Sequence, residues 1–258
     1  MFYPGDRAAL ERALAAMLQA AEPAAPQPVP KAIIAPHAGY IYSGPIAASV
    51  YASLAPARAR VKRVVLLGPT HRVAVRGLAL PTAGAFATPL GNVEIDQDAL
   101  AAIRGLPQVV VSDAAHAAEH SLEVHLPFLQ TVFDSFRLVP LAVGYAEAEE
   151  VAEVLDMLWD GPETLIVVSS DLSHYLAYHE ARETDRRTAQ AILDLSVEIS
   201  HEQACGATPV TGLSLSARRH GLTPRLVDLR NSGDTAGDRR RVVGYGAFAY
   251  FESEGRGD

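Results

Sequence analysis

From Asp6 to Glu22 the apolar positions Leu10, Leu14, Met17 and Leu18 recur at helical spacing behind Asp6, a side chain suited to cap a helix. Pro23–Pro30 holds four prolines, which end that helix and form a connector. Beyond it come apolar runs of strand length at Lys31–Ala35, Arg63–Leu67, Gln108–Val111, Arg137–Val143 and Thr164–Ser169. Helical patterns fall between several of them, at Pro45–Leu54, Leu122–Phe133, Glu147–Trp159 and Glu180–Leu195. This alternation predicts an α/β fold, a mainly parallel central sheet flanked by helices. The final third reads as a helix at Pro209–His220 and two strands, Arg225–Leu229 and Val242–Phe251, joined through Asn231–Asp234 and an arginine loop. Short strands are expected at Val75–Pro81 and Val93–Ile95, around a turn at Thr88–Gly91. No repeat and no low-complexity segment divides the chain, so residues 1–258 read as a single domain.

Composition narrows the function classes. A chain of 258 residues that is 49% hydrophobic can bury one substantial core. A formal net charge of -8, with both signs interspersed, disfavours a nucleic-acid partner. Charged residues interrupt the apolar pattern near the N-terminus, and the longest apolar runs are strand-sized, so neither a signal peptide nor a membrane span is expected. One cysteine, Cys205, cannot form an internal disulfide, which suits a reducing cytoplasm.

Polar punctuation follows three of the expected strands: Pro36-His37-Ala38-Gly39-Tyr40, Gly68-Pro69-Thr70-His71-Arg72 and Ser169-Ser170-Asp171-Leu172-Ser173-His174. In an open α/β sheet, ligands bind outside the carboxyl ends of the strands. A lone histidine after a strand is more often structural than a ligand, but three at equivalent strand ends favour a site. A fourth cluster runs from His116 through Glu119, His120 and Glu123 to His125; it is not the HExxH zinc pattern. There a Glu-His pair can support a site or touch substrate, while His125 reads equally well as a core histidine. Cys205 precedes a helix, a setting that favours thiolate, and two imidazoles with one thiolate suit iron, copper or zinc. These residues suggest a metal or catalytic site, and spacing alone names neither its kind nor a reaction.

At these positions the sequence resembles the MEMO family, related to the class III (LigB-type) extradiol dioxygenases. The likeness runs over nearly the whole chain, through Pro36–Tyr40 with Tyr42-Ser43-Gly44, Gly68–His71, Thr88–Gly91 with Ile95-Asp96, Glu119–Glu123 with His125-Leu126-Pro127, Ser169–Asp171 with His174, Cys205-Gly206 and Gly244-Tyr245-Gly246. The resemblance implies a helix-flanked sheet with a metal pocket at one edge. It implies His37, His71 and Cys205 as ligands, and His120, His174 and Asp171 as catalytic neighbours. It further implies Fe(II), with copper or zinc as alternatives, O₂ and a catechol-like or related small aromatic substrate. Microbial members are the B component of the AmmeMemoRadiSam system, so radical-SAM and AMMECR-type proteins are implied partners. Cys205 stands where the dioxygenases have a carboxylate, and Phe86 where relatives often have tryptophan.

The leading expectation is therefore a non-haem Fe(II) enzyme of dioxygenase type, with His174 taking a hydroxyl proton, Asp171 fixing its tautomer and His120 steadying substrate. The runner-up is a non-catalytic iron- or copper-binding redox or adaptor protein docking a peptide or AmmeMemoRadiSam components. Zinc-dependent hydrolysis by the same ligands is a third reading. A homodimer is compatible with the apolar termini and short loops.

Overall fold

Asp6 caps the first helix as its position suggests, its carboxylate accepting from Ala9 N at 2.8 Å. The computed structural model describes residues 2–21 and 28–252, so Glu22 and most of the proline connector lie outside the described residues. In chain order the elements are α1 (Arg7–Ala20), β1 (Ala32–Ala35), α2 (Tyr40–Tyr51), β2 (Arg63–Pro69), β3 (Leu78–Leu80), β4 (Ala85–Thr88), β5 (Gly91–Glu94) and α3 (Gln97–Ile103). Then come β6 (Val109–Val111), α4 (Asp113–Ala117), α5 (Leu126–Val132), β7 (Arg137–Val143), α6 (Ala148–Met157), β8 (Thr164–Ser169) and β9 (His174–Leu176). Last are α7 (Tyr178–Leu193), α8 (Ala207–Arg219), β10 (Leu222–Asn231), α9 (Ser232–Thr235) and β11 (Val242–Glu252).

The main sheet runs β10-β11-β1-β8-β2-β7-β3-β6, with β9 paired to β11, while β4 and β5 form a separate hairpin. The middle block β1-β8-β2-β7 is parallel; β11 joins β1 antiparallel on one side and β3 joins β7 antiparallel on the other. The result is one α/β domain with a mixed, mostly parallel centre. Side chains alternate across it. Ile33, Val64, Leu66, Leu165 and Val167 enter one core with α1, α2 and α5. Ile34, Val65, Leu67, Ile166 and Val168 enter the other with α6, α7 and α8. Both faces are covered, which is why these strands read as unbroken apolar runs rather than as alternation.

Two boundaries differ from the sequence reading. Helix α2 begins at Tyr40 and carries Pro45 inside it, instead of starting there. The missing N–H of Pro45 deprives the Ile41 carbonyl of its helical donor, and Ile41 is exposed, so water can take that donor's place. The stretch Leu122–Phe133 is a tight turn at Glu123–His125 followed by α5, with Pro127 in its first turn. The short elements β4, α3, α4, β9 and α9 were not anticipated; most have too few residues to show a period. Among the described residues no helix is long and apolar enough to cross a membrane.

Strand order positions the site. β8 lies between β1 and β2, and in register Ala35 sits opposite Ser169 while Leu67 sits opposite Val168. The three segments that follow these strands therefore leave the sheet side by side.

Candidate metal centre

His37, two residues past β1, is buried, and its backbone N–H donates to Asp171 Oδ1 at 2.8 Å. Its Nδ1 lies 2.6 Å from Ser169 Oγ. His71, two residues past β2, gives its backbone N–H to Glu119 Oε2 at 2.5 Å and its Nδ1–H to Glu119 Oε1 at 2.9 Å. Glu119 Oε1 also accepts the backbone N–H groups of His120 and Ser121, both at 2.9 Å. One carboxylate thus takes four donors and clamps the turn that carries His120 against the turn that carries His71. Burial works against the charge of Glu119, but these hydrogen bonds prevail and bring its carboxyl down to about 2.

The arrangement brings His37, His71 and His120 together, with one nitrogen from each lying within 4.8 Å of the others. His37 and His71 are tied back through Nδ1, which leaves Nε2 of each for the cluster. The rings of His120 and His71 stack at 4.8 Å, and Phe2 stacks on the other face of His120 at 4.3 Å with planes 5° apart. His120 Nδ1 is 3.4 Å from Glu119 Oε1, yet among the described residues it makes no hydrogen bond. Burial and the neighbouring imidazoles lower the pKa of both His37 and His120, so they are neutral, as metal ligands must be. Metal–nitrogen bonds of about 2.0–2.1 Å in a tetrahedron place nitrogens roughly 3.3 Å apart. The donor set fits a transition-metal ion once the side chains draw in modestly.

Cys205 stands at the edge of this group. Its Sγ is 3.4 Å from His37 Nε2 and its backbone N–H donates to Asp171 O at 3.2 Å. Burial, then the Asp171 carboxylate, pushes the thiol up to about 12, so without a cation Cys205 is a thiol. Gly206 is required beside it, because a Cβ there would come within 2.6 Å of the Ser169 carbonyl oxygen. The expected trio of His37, His71 and Cys205 thus meets at His37, while the compact set of donor atoms includes His120.

His174 and Asp171 are adjacent but do not pair as expected. His174 Nδ1–H donates to the Leu172 carbonyl at 2.8 Å, and that carbonyl, not Asp171, fixes its tautomer and leaves Nε2 as a lone pair. Asp171 spends Oδ1 on the His37 backbone, and burial raises its pKa. The turn before His174 is held by Asp185, which accepts from Ser173 N at 3.0 Å. Ser169, Ser121, Tyr51 and Phe2 also reach the cluster or the histidines beside it, and no spacing in the sequence marks them. A concavity of about 770 Å³ around Lys62, Arg63 and Asp160 lies at the opposite ends of β2 and β8, where Arg63 pairs with Asp96 at 2.8 Å and with Asp160.

Comparison with known proteins gives the family of the chain. A family profile described as Memo-like protein matches residues 1–249. A MEMO1 family protein of Aquifex aeolicus is 38% identical over 257 residues, covering 95% of this chain and 94% of that protein. One from Archaeoglobus fulgidus is 34% identical over 266 residues, covering 96% of each. A MEMO1 family protein of Methanopyrus kandleri is 36% identical over 233 residues, covering 84% of this chain and 82% of its own length. The crystal structure of an uncharacterized protein, JW3007 from Escherichia coli K12, has a TM-score of 0.52 at 14% identity, covering 83% of this chain and 98% of that one, a likeness of fold alone.

Proposed function

This chain belongs to the Memo-like protein family, and from that premise we propose that it is a mononuclear metalloprotein and an oxygen-using enzyme of extradiol-dioxygenase type. Its substrate is a catechol-like or related small aromatic molecule, and its ion is Fe(II). The observation that carries this reading is the convergence of three imidazoles, one nitrogen of each within 4.8 Å of the others, at the carboxyl edge of parallel strands. His37 and His71 would hold the ion, with His120 and Cys205 as the further donors within reach. When bound, Fe(II) supplies a Lewis acid and a path for electrons between two substrates held together.

The remaining chemistry belongs to the chain. His174, with Nδ1–H committed to Leu172 O, keeps an Nε2 lone pair able to take a hydroxyl proton. Phe2, His120 and His71 form a stack of three rings, which fixes the plane of the central His120 ring. Asp171 anchors the His37 backbone and places a carboxylate beside that pocket. A reducing cytoplasm would keep Cys205 a thiol.

One observation favours a second reading. Cys205 Sγ, 3.4 Å from His37 Nε2, is a soft and oxidisable donor. That suits a redox-handling protein holding iron or copper and docking radical-SAM and AMMECR-type partners without transforming a substrate.

The test is elemental analysis of untagged, anaerobically purified protein beside His37→Ala, followed by oxygen uptake with catechols. Near-stoichiometric iron, lost in the variant, with catechol-dependent uptake is the expected result. His174→Ala should keep the metal and lose at least about 10²-fold in turnover. Copper without uptake would favour the second reading, and zinc would move the chemistry to hydrolysis. A wild type that refuses added Fe(II), Zn(II) and Cu(I) would sink both metal readings.

A further inference from the structure

We propose that Ser169 is a positioning residue for this centre: its hydroxyl, braced by His125 and Tyr51, fixes His37 as the Nδ1–H tautomer and so presents the Nε2 lone pair to the cluster. The inference rests on reading the cluster as a metal site.

Proton accounting carries it. Ser169 Oγ has three neighbours: the Ser121 carbonyl at 2.6 Å, His37 Nδ1 at 2.6 Å and His125 Nε2 at 2.9 Å. A carbonyl oxygen can only accept, so the single hydroxyl hydrogen goes to Ser121 O. The two lone pairs that remain must accept, and each imidazole therefore turns an N–H toward Ser169. That assigns Nδ1–H to His37 and Nε2–H to His125. Neutral His125 then has a lone pair on Nδ1, and Tyr51 OH, 2.9 Å away, donates to it. Every donor and acceptor in the chain from Tyr51 to His37 is matched.

The opposite tautomer has a definite cost. With its proton on Nε2, His37 would turn a lone pair at Ser169, whose hydrogen would have to leave Ser121 O. A buried carbonyl would lose its donor, which is unfavourable where Ser121, Ser169 and His125 are all fully buried. The 3.4 Å approach of Cys205 Sγ to His37 Nε2 agrees with the assignment, because a thiol can donate to that lone pair. Tyr51 and His125 belong to the chain for a mechanical reason. They fill the second lone pair of Ser169 and leave its hydroxyl no rotation that keeps all three contacts.

The test is ¹⁵N NMR of histidine-labelled, metal-free protein, with Zn(II) affinity measured by calorimetry on the same samples. In the wild type His37 should show a protonated Nδ1 and a bare Nε2. Ser169→Ala should give mixed tautomers at His37 and bind Zn(II) about 10–100-fold more weakly. Ser169→Thr, which retains the hydroxyl, should restore both. Tyr51→Phe should shift the His125 signals and leave His37 as Nδ1–H. An Nε2–H tautomer in wild type overturns the proposal whatever the variants do, including if Ser169→Ala fails to fold. A folded Ser169→Ala with unchanged tautomer and affinity also overturns it. Wild-type protein with the expected tautomer but no affinity for Zn(II) would remove the metal reading and leave the tautomer lock standing.

Discussion

Glu119 illustrates how much of the site hangs on a side chain that would bind no metal. Its two oxygens accept four N–H groups, and it is the partner of His71 Nδ1. Glu119→Gln keeps the volume but replaces one acceptor by a donor facing N–H groups. Metal affinity should fall about 10–100-fold, read by titration with Zn(II). The same substitution has a pH signature. A carboxyl held at about 2 instead of 4.5 contributes stability that is complete above pH 4.5 and disappears as pH falls toward 2. That contribution is about 3 kcal/mol at neutral pH, so urea unfolding should separate wild type from variant at pH 7 and bring them together near pH 2. The histidines were legible in the sequence because Gly and Pro punctuate the ends of apolar runs, at Pro36-His37 and Pro69-Thr70-His71. Ser169 was not legible, since a serine ending a strand carries no mark of what reaches it from 44 and 132 residues away. For the same reason Asp171 was expected to hold His174, its sequence neighbour, when it holds His37.

Among the elements, long apolar strands were read to within a few residues, and Arg137–Val143 and Thr164–Ser169 coincide with β7 and β8. Short pieces escaped because a three-residue strand such as β9 is defined by its partner β11, not by a pattern of its own. The link from β8 to α8 shows how an element end sets site geometry. Gly206 N donates to Ser170 Oγ at 3.0 Å, and this loop lies against the last residues of β8. Gly206→Ala must push the Cys205 loop off the strand, because the clash is with backbone. The expected outcome is a destabilisation of about 1–3 kcal/mol in chemical denaturation, together with faster reaction of Cys205 with a thiol reagent. Lys31, just before β1, acts on the opposite edge. Its ammonium donates to the carbonyls of Trp159, Asp160, Gly161 and Thr164 at 2.5–3.1 Å. Lys31→Met should cost about 3 kcal/mol in the same measurement, by leaving those oxygens without their cation.

For the whole molecule, buried neutral histidines set the response to acid. Burial holds His125 down to about 3, and His37 moves the same way. The unfolded chain takes up these protons below pH 6.5 and the native state does not, so this stability is lost as pH falls from 6.5 toward 3. His125 alone removes about 2 kcal/mol by pH 5, and the urea midpoint should drop between pH 7 and pH 5. The sheet order has a consequence for synthesis. β1, whose end delivers His37, pairs on one side with β8 and on the other with β11, made some two hundred residues later. Until β11 has emerged from the ribosome, β1 can be only an edge strand, with one row of peptide groups open to any neighbouring nascent chain. The protein is therefore open to mispairing at β1 until β11 emerges, and a holding chaperone would be of use to it over that interval.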